Sequence, residues 1–218
     1  TATATFGALT TLTNTSVTVR ENASLTLPAL TSWAANNTTV VLLVSDSGAF
    51  TANALTALGN VAIQVRAGAK LNLPAVTSYS WTVVTSPTLL DAANFGSELN
   101  LPALETLTFD TGTTSAYQAT VTATDSGHID VPLLDTITQG TNHRLRLVLT
   151  SNGTLDAAAL PSGERMSLEP GANANLTLPS LTTLTNSTAS VQGTLTLAAL
   201  TSTKDTTIAL SGNGTVAV

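Results

Sequence analysis

Lys70, Glu98, His128, Asp130 and Asp156 are the side chains whose type and spacing first suggest chemistry. The steps from Lys70 to Glu98, from Glu98 to His128 and from Asp130 to Asp156 are 28, 30 and 26 residues. Asn72 and Asn100 repeat the step of 28 two positions further on. If each step is one turn of a coil, these residues stand in two columns, with successive members about 4.8 Å apart. Carboxylates, amides, an ammonium and an imidazole on one flat face offer directional hydrogen bonds to the hydroxyls of a carbohydrate. Asp130 and Asp156, with Asp135 nearby, are hard oxygen ligands of the kind calcium takes. A pair of carboxylates held about 5–10 Å apart across a cleft would be the acid and base of glycoside hydrolysis, and Glu98, Asp130 and Asp156 form the group to test. The plain alternative is that solvated strands carry polar residues and some neighbours are charged. Trp81 and Tyr117 lie in long stretches between repeats and are the expected exposed aromatics for stacking on a sugar ring. Trp33 and Tyr79 follow Thr-Ser, where Leu or Ile stands elsewhere, and are expected in the core.

The elements that must position this patch are written in a recurring phrase. It reads LTLPALTS at 25–32, LNLPAVTS at 71–78, LNLPALET at 99–106, IDVPLLDT at 129–136, LTLPSLTT at 176–183 and LTLAALTS at 195–202. Weaker copies begin at Ala4, Phe50 and Leu155. A period of 20–30 residues sustained along a chain marks a stacked solenoid. Within each copy, apolar and polar residues alternate with strand period, as in Leu25-Thr26-Leu27. Proline then ends the strand at a corner, where its missing N–H costs no ladder bond. A second strand follows, read from Val17/Val19, Leu42/Val44, Ile63/Val65, Val121/Ala123, Leu145/Leu147, Met166/Leu168 and Ile208/Leu210. Turns such as Asp46-Ser-Gly48, Asp125-Ser-Gly127 and Ser151-Asn-Gly153 close the coil, with residue types that tolerate a left-handed backbone. Leu89–Phe95 and Ala157–Leu160 are candidate short helices, and Leu90–Phe95 reads as an insertion in the coil that starts at Leu71. The long coils starting at 71, 99 and 129 should loop out on one side. Val216-Ala-Val218 opens a further coil and predicts a continuation or a cap.

Composition narrows the function classes. Hydrophobic residues are 43%, charged residues 9% and aromatic residues 4%, so the chain has a core to bury and is not of the disordered type. The net charge of −6, with seven Lys and Arg spread thinly, provides no basic stripe for a nucleic acid. There is no cysteine, which removes disulfides, thiol catalysis and thiolate metal sites together. No apolar run is long enough for a membrane-spanning helix. The start at Thr1-Ala-Thr-Ala-Thr reads as a fragment of a larger chain with flanking domains.

The stacked phrases resemble secreted bacterial right-handed parallel β-helix proteins, the broad group that includes pectate-lyase-like enzymes and many adhesins. The LTLPALTSL-type repeat is similar to those of large bacterial surface proteins. The resemblance implies a secreted or cell-surface location and a role with polysaccharide. The carboxylate and basic constellation of pectin-degrading β-helices has no residue-by-residue match here. Receptor L domains share Leu-x-Leu-Pro-x-Leu-Thr-Ser, but their following Gly-Gly step is missing. Ice-binding solenoids carry regular threonine arrays, which Lys70, Glu98, His128 and Asp156 interrupt. The expectation is therefore all-β: one right-handed parallel β-helix of about nine coils over residues 1–218. Its expected function is a non-catalytic extracellular module that binds polysaccharide or a cell-surface glycan. The expected ligand-binding residues are Trp81, Tyr117, Asn72, Glu98, Asn100, His128, Asp130 and Asp156. No cofactor is expected, calcium being the one ion the acidic residues would accept. A structural spacer or adhesin stalk is the first alternative, and a polysaccharide-degrading enzyme the second.

Overall fold

Each repeat phrase folds into a three-sided coil. In coil two, Ser24–Thr26 lies on the first face, Ser32–Ala34 on the second and Val40–Ser45 on the third. The computed structural model describes residues 1–218 apart from Thr111 and Thr113. Counting from the N-terminus, the first-face strands of the nine coils are Thr3–Thr5, Ser24–Thr26, Ala49–Thr51, Lys70–Asn72, Glu98–Asn100, His128–Asp130, Thr154–Asp156, Asn175–Thr177 and Thr194–Thr196. Thr215–Ala217 opens a tenth. The third face is one continuous nine-stranded sheet. The first face is hydrogen-bonded as sheets of three and seven strands, and the second as sheets of six and three. The pairings between successive coils are parallel, and no helix occurs among the described residues. The protein is a parallel β-solenoid.

Register is fixed by the inward residues, because a slip by one position would turn every buried side chain to solvent. Leu71, Leu99, Ile129, Leu155 and Leu176 stack in line on the first face. Burial of each leucine contributes about 2 kcal/mol. One coil alone would expose this row, so stability comes from stacking on neighbours.

The first corner is a β-turn, in five of the nine coils with proline at its second position, where the ring supplies the required φ. Its closing bonds run from Leu30 N to Leu27 O (3.2 Å), Leu104 N to Leu101 O (3.1 Å) and Leu134 N to Val131 O (3.1 Å). Just past it, the Thr31, Thr56 and Thr77 hydroxyls each donate to a main-chain carbonyl one coil back, at 3.2–3.4 Å. Glu105 and Asp135 replace threonine at this point in coils five and six.

In coils one, two, three, five and six the third corner is built from two successive residues with positive φ, such as Asp125 and Ser126 (51° and 66°) or Ser151 and Asn152 (50° and 64°). The residue that follows must be small. A Cβ on Gly153 would lie 2.0 Å from the Ala123 carbonyl oxygen of the preceding coil.

The extra residues of the long coils all leave at the second corner, between Trp81 and Thr88, Phe109 and Gln118, and Gln139 and Arg144. The one-sided looping expected from the sequence is therefore present, but the insertion in coil four is misplaced by the sequence reading. Thr88–Ala93 is that coil's third-face strand, with Leu90 in register with Ile63 and Val121. Its two adjacent leucines come from a register irregularity between Thr88 and Leu90. Neither candidate helix forms. Ala157–Leu160 is the first-corner turn of coil seven, closed by Leu160 N to Ala157 O at 3.4 Å.

Candidate functional site

The register delivers the expected columns. Lys70 pairs with Glu98, Glu98 with His128 and His128 with Thr154. The second column runs Asn72, Asn100, Asp130, Asp156. All these side chains lie on the outer side of the first face, because each flanks an inward residue across one strand period. Six of the eight expected site residues are therefore brought together: Asn72, Glu98, Asn100, His128, Asp130 and Asp156.

Interactions along the columns are local. Lys70 Nζ donates to Glu98 Oε1 at 2.6 Å. His128 Nδ1 lies 2.7 Å from Thr154 Oγ1. Burial pushes the Asp130 carboxyl above the usual carboxylate range, the Asp156 charge one coil further on adds to the rise, and His128 opposes both. Two carboxylates one strand spacing apart disfavour each other's ionised form. Beside them a shallow hollow of about 390 Å³ is lined by His128, Thr154, Asp156, Asn175, Thr177 and Pro179, among others. Asp135 does not join Asp130 and Asp156. It lies beyond the turn Val131–Leu134, in line with Glu105. No group of three or more His, Asp or Glu is placed to hold a metal ion among the described residues.

The two expected aromatics are not part of this face. Trp81 is fully buried (0% exposed), which corrects the expectation that it stands free of the core. It is the last residue of Ser78–Trp81, inward-facing and in register with Phe109. Tyr79 lies one strand period before it, so Trp81 is the second inward position of a second-face strand one residue longer than those of coils one to three. Its indole N–H is satisfied by the Val83 carbonyl at 3.2 Å. Trp33 and Tyr79 are buried as expected and spend their polar atoms in the same way, on Thr15 O (3.0 Å) and Val61 O (2.6 Å). Burial pushes the Tyr79 hydroxyl pKa far up. Tyr117 is half-buried, its ring 5.7 Å from that of His143. Both Trp81 and Tyr117 belong to the second corner, the edge of the triangle opposite the first face.

The aromatic exposed beside the middle coils is one the sequence reading placed only in a candidate helix, Phe6 in the first coil being exposed as well. Phe95 is 85% exposed and sits on the third corner of coil four, three residues before the start of the first-face strand Glu98–Asn100. Its turn is held firmly. Asn94 and Gly96 take positive φ (78° and 80°). Asn94 N donates to Thr124 O at 3.2 Å and Ser97 N to Asn94 O at 3.1 Å. The buried Ser97 hydroxyl donates to Ala93 O at 2.6 Å and accepts from Gly68 N at 3.1 Å. A sequence signal for this existed. The third corner elsewhere carries only small or polar pairs, such as Asp-Ser, Ser-Asn, Ala-Gly or Glu-Asn, and a phenylalanine there has no inward position to fill.

Ion pairs on the third face are built differently. Arg146 makes two bonds to Glu169, Nε to Oε1 at 2.9 Å and Nη2 to Oε2 at 2.6 Å, while Arg66 pairs with Asp91. Each joins neighbouring coils and holds the stack.

These features define a three-sided parallel β-solenoid with one mixed polar face. No protein-family model, curated protein or solved structure matches the chain.

Proposed function

We propose that this protein is a non-catalytic binding module, secreted or displayed at a cell surface, that holds a polysaccharide along its first face. The observation that carries the reading is the gathering of Asn72, Glu98, Asn100, His128, Asp130 and Asp156 into two adjoining columns, with Phe95 exposed at their edge. The columns offer donors and acceptors at a regular step to a ligand that repeats its own hydroxyls. Phe95 supplies the apolar ring face that Trp81 cannot. The carboxylates stand on an open sheet face, a geometry suited to contact along a chain rather than to enclosing one bond for hydrolysis. A bacterial source and flanking domains, both implied by the LTLPALTSL-type repeats, accompany this reading.

The second reading, a structural spacer or adhesin stalk, is favoured by one observation: the large aromatics Trp33, Tyr79 and Trp81 are all spent on the core. The two separate by electrophoresis of the purified protein through gels that contain a panel of soluble polysaccharides, with reducing ends assayed in parallel. Retardation by one glycan class without new reducing ends is the expected result. Free migration through every gel would leave the spacer, and new reducing ends would make the protein an enzyme.

A further inference from the structure

The third corner is a ridge of two-residue turns, and one turn is missing. From inward residue to inward residue the corner spans Leu149 to Leu155 in coil six and Leu210 to Val216 in coil nine, six positions each. In coil eight it spans Val191 to Leu195, only four. Gln192 and Gly193 carry the chain straight across. Both backbone N–H groups donate to Pro170 O, at 2.9 and 3.0 Å. Gly193 is drawn in so far that a Cβ there would meet the Ala174 and Gly171 carbonyl oxygens at 2.2 and 2.4 Å. The flanking turns, at Ala172-Asn173 and Gly212-Asn213, keep their full height. The result is a notch of about 730 Å³.

The chemistry of the notch differs from that of the middle coils. No charged side chain and no aromatic lines it. Asn152, Asn173, Asn175, Gln192 and Asn213 bring five side-chain amides to its walls. All five residues are exposed, and none of these amides hydrogen-bonds another described residue. An amide donates through its NH2 and accepts through its oxygen, so it meets a hydroxyl in either role. A cluster of uncharged amides favours a neutral, hydroxyl-dense ligand over an ion. The notch also opens onto the ligand track proposed above. Asn175 and the next member of its column, Thr194, both line it, and that column leads back through Thr154 to His128. Phe95 on coil four and the notch on coil eight stand on the same ridge, four coil steps or roughly 19 Å apart.

We infer that the coil-eight notch is a binding subsite for a neutral saccharide unit, at one end of the track that Phe95 and the polar columns define. For its ligand class this inference rests on the polysaccharide reading. The recess forms because two residues are absent, so restoring them fills it. Inserting Ser-Asn between Gln192 and Gly193, after the pattern Ser151-Asn152, rebuilds the ridge turn without touching the first-face columns. Gln192→Ala combined with Asn213→Ala is the second variant, at two exposed positions without a positive φ. It removes two amides from exposed positions and should not disturb folding.

The experiment is calorimetric titration of the wild type, both notch variants and Phe95→Ala with cellohexaose, xylohexaose and mannohexaose. The melting temperature of each protein is recorded alongside. The expected result is that one of the three binds, and that both notch variants weaken it at least tenfold with unchanged melting. Undiminished binding by both notch variants, with loss in Phe95→Ala, would overturn the subsite and leave the first-face reading standing. An insertion variant that melts early passes the decision to the double alanine variant. Absence of binding to all three sugars in the wild type would count against the notch. The reading of the polar face would then be decided by the polysaccharide gels.

Discussion

Replacing Trp81 with alanine should cost the protein several kcal/mol, whereas replacing Phe95 should cost almost nothing. Trp81 is fully buried and Phe95 is 85% exposed. Burying a tryptophan removes about 200 Å² from water, which at about 25 cal/mol per Å² corresponds to roughly 5 kcal/mol. Measured aromatic-to-alanine substitutions in cores cost about 3–5 kcal/mol, a range that includes the cavity left behind. The Val83 carbonyl, which accepts the indole N–H at 3.2 Å, would lose its partner and add about 1 kcal/mol. Against a typical total stability of about 5–15 kcal/mol, such a loss is large. Because each coil contacts only its neighbours, the damage should concentrate at coils three to five. Urea denaturation followed by circular dichroism reads both variants. Trp81→Ala should lower the midpoint strongly or split the transition, and Phe95→Ala should leave it within error. A Trp81→Ala protein as stable as wild type would refute the placement of this residue in the core. A large loss in Phe95→Ala would mean that its ring is packed rather than presented.

Three further outcomes follow from the same geometry. Gly153→Ala should destabilise by about 1–3 kcal/mol, the usual cost of overpacking, because its Cβ would stand 2.0 Å from a ladder carbonyl; thermal melts check it. Asp156→Asn should bring the carboxyl pKa of Asp130 down toward its ordinary value, read by carboxyl carbon NMR against pH. With its folded pKa raised, Asp130 costs stability as pH rises through that pKa, so Asp156→Asn should gain on wild type above it and not below. Hydrogen bonds from Arg146 hold the Glu169 carboxyl below its usual range, and its contribution is present at neutral pH and lost as pH falls through the folded value. Glu169→Gln should therefore be roughly 1 kcal/mol less stable than wild type at pH 7, with the gap closing in acid titrations of stability.

The first face was fully legible in the sequence because its coils carry one inward residue flanked by two outward ones, followed in five of the nine by a proline turn. Leu71, Leu99, Ile129 and Leu155 align in the text as they do in space. The second face was hidden because its short strands, such as Ser32–Ala34, lack the Leu-x-Leu alternation and following turn phrase that mark the equally short strands of the first face. One apolar residue has no period, and only pairing to the coil before and after makes it a strand. Trp81 was misread for the same reason: Ser78–Trp81 is one residue longer than its counterparts in coils one to three, so a second inward position looked like an exception. Thr88–Ala93 was missed because two adjacent leucines imitate the start of a helix or a new coil, whereas in space they mark a register irregularity. Phe95 and the coil-eight notch were legible only by counting. One is an apolar residue at a corner that needs none, and the other is a corner two residues short.

The most direct test of the first face as the ligand surface is to map a retained glycan onto the protein by amide chemical shifts. Shifts should follow the columns, with Glu98, Asn100, His128, Asp130 and Asp156 moving together with Phe95, and with second-face Thr136 and Thr183 still. Shifts centred on the second or third face, or scattered over all three, would contradict the account.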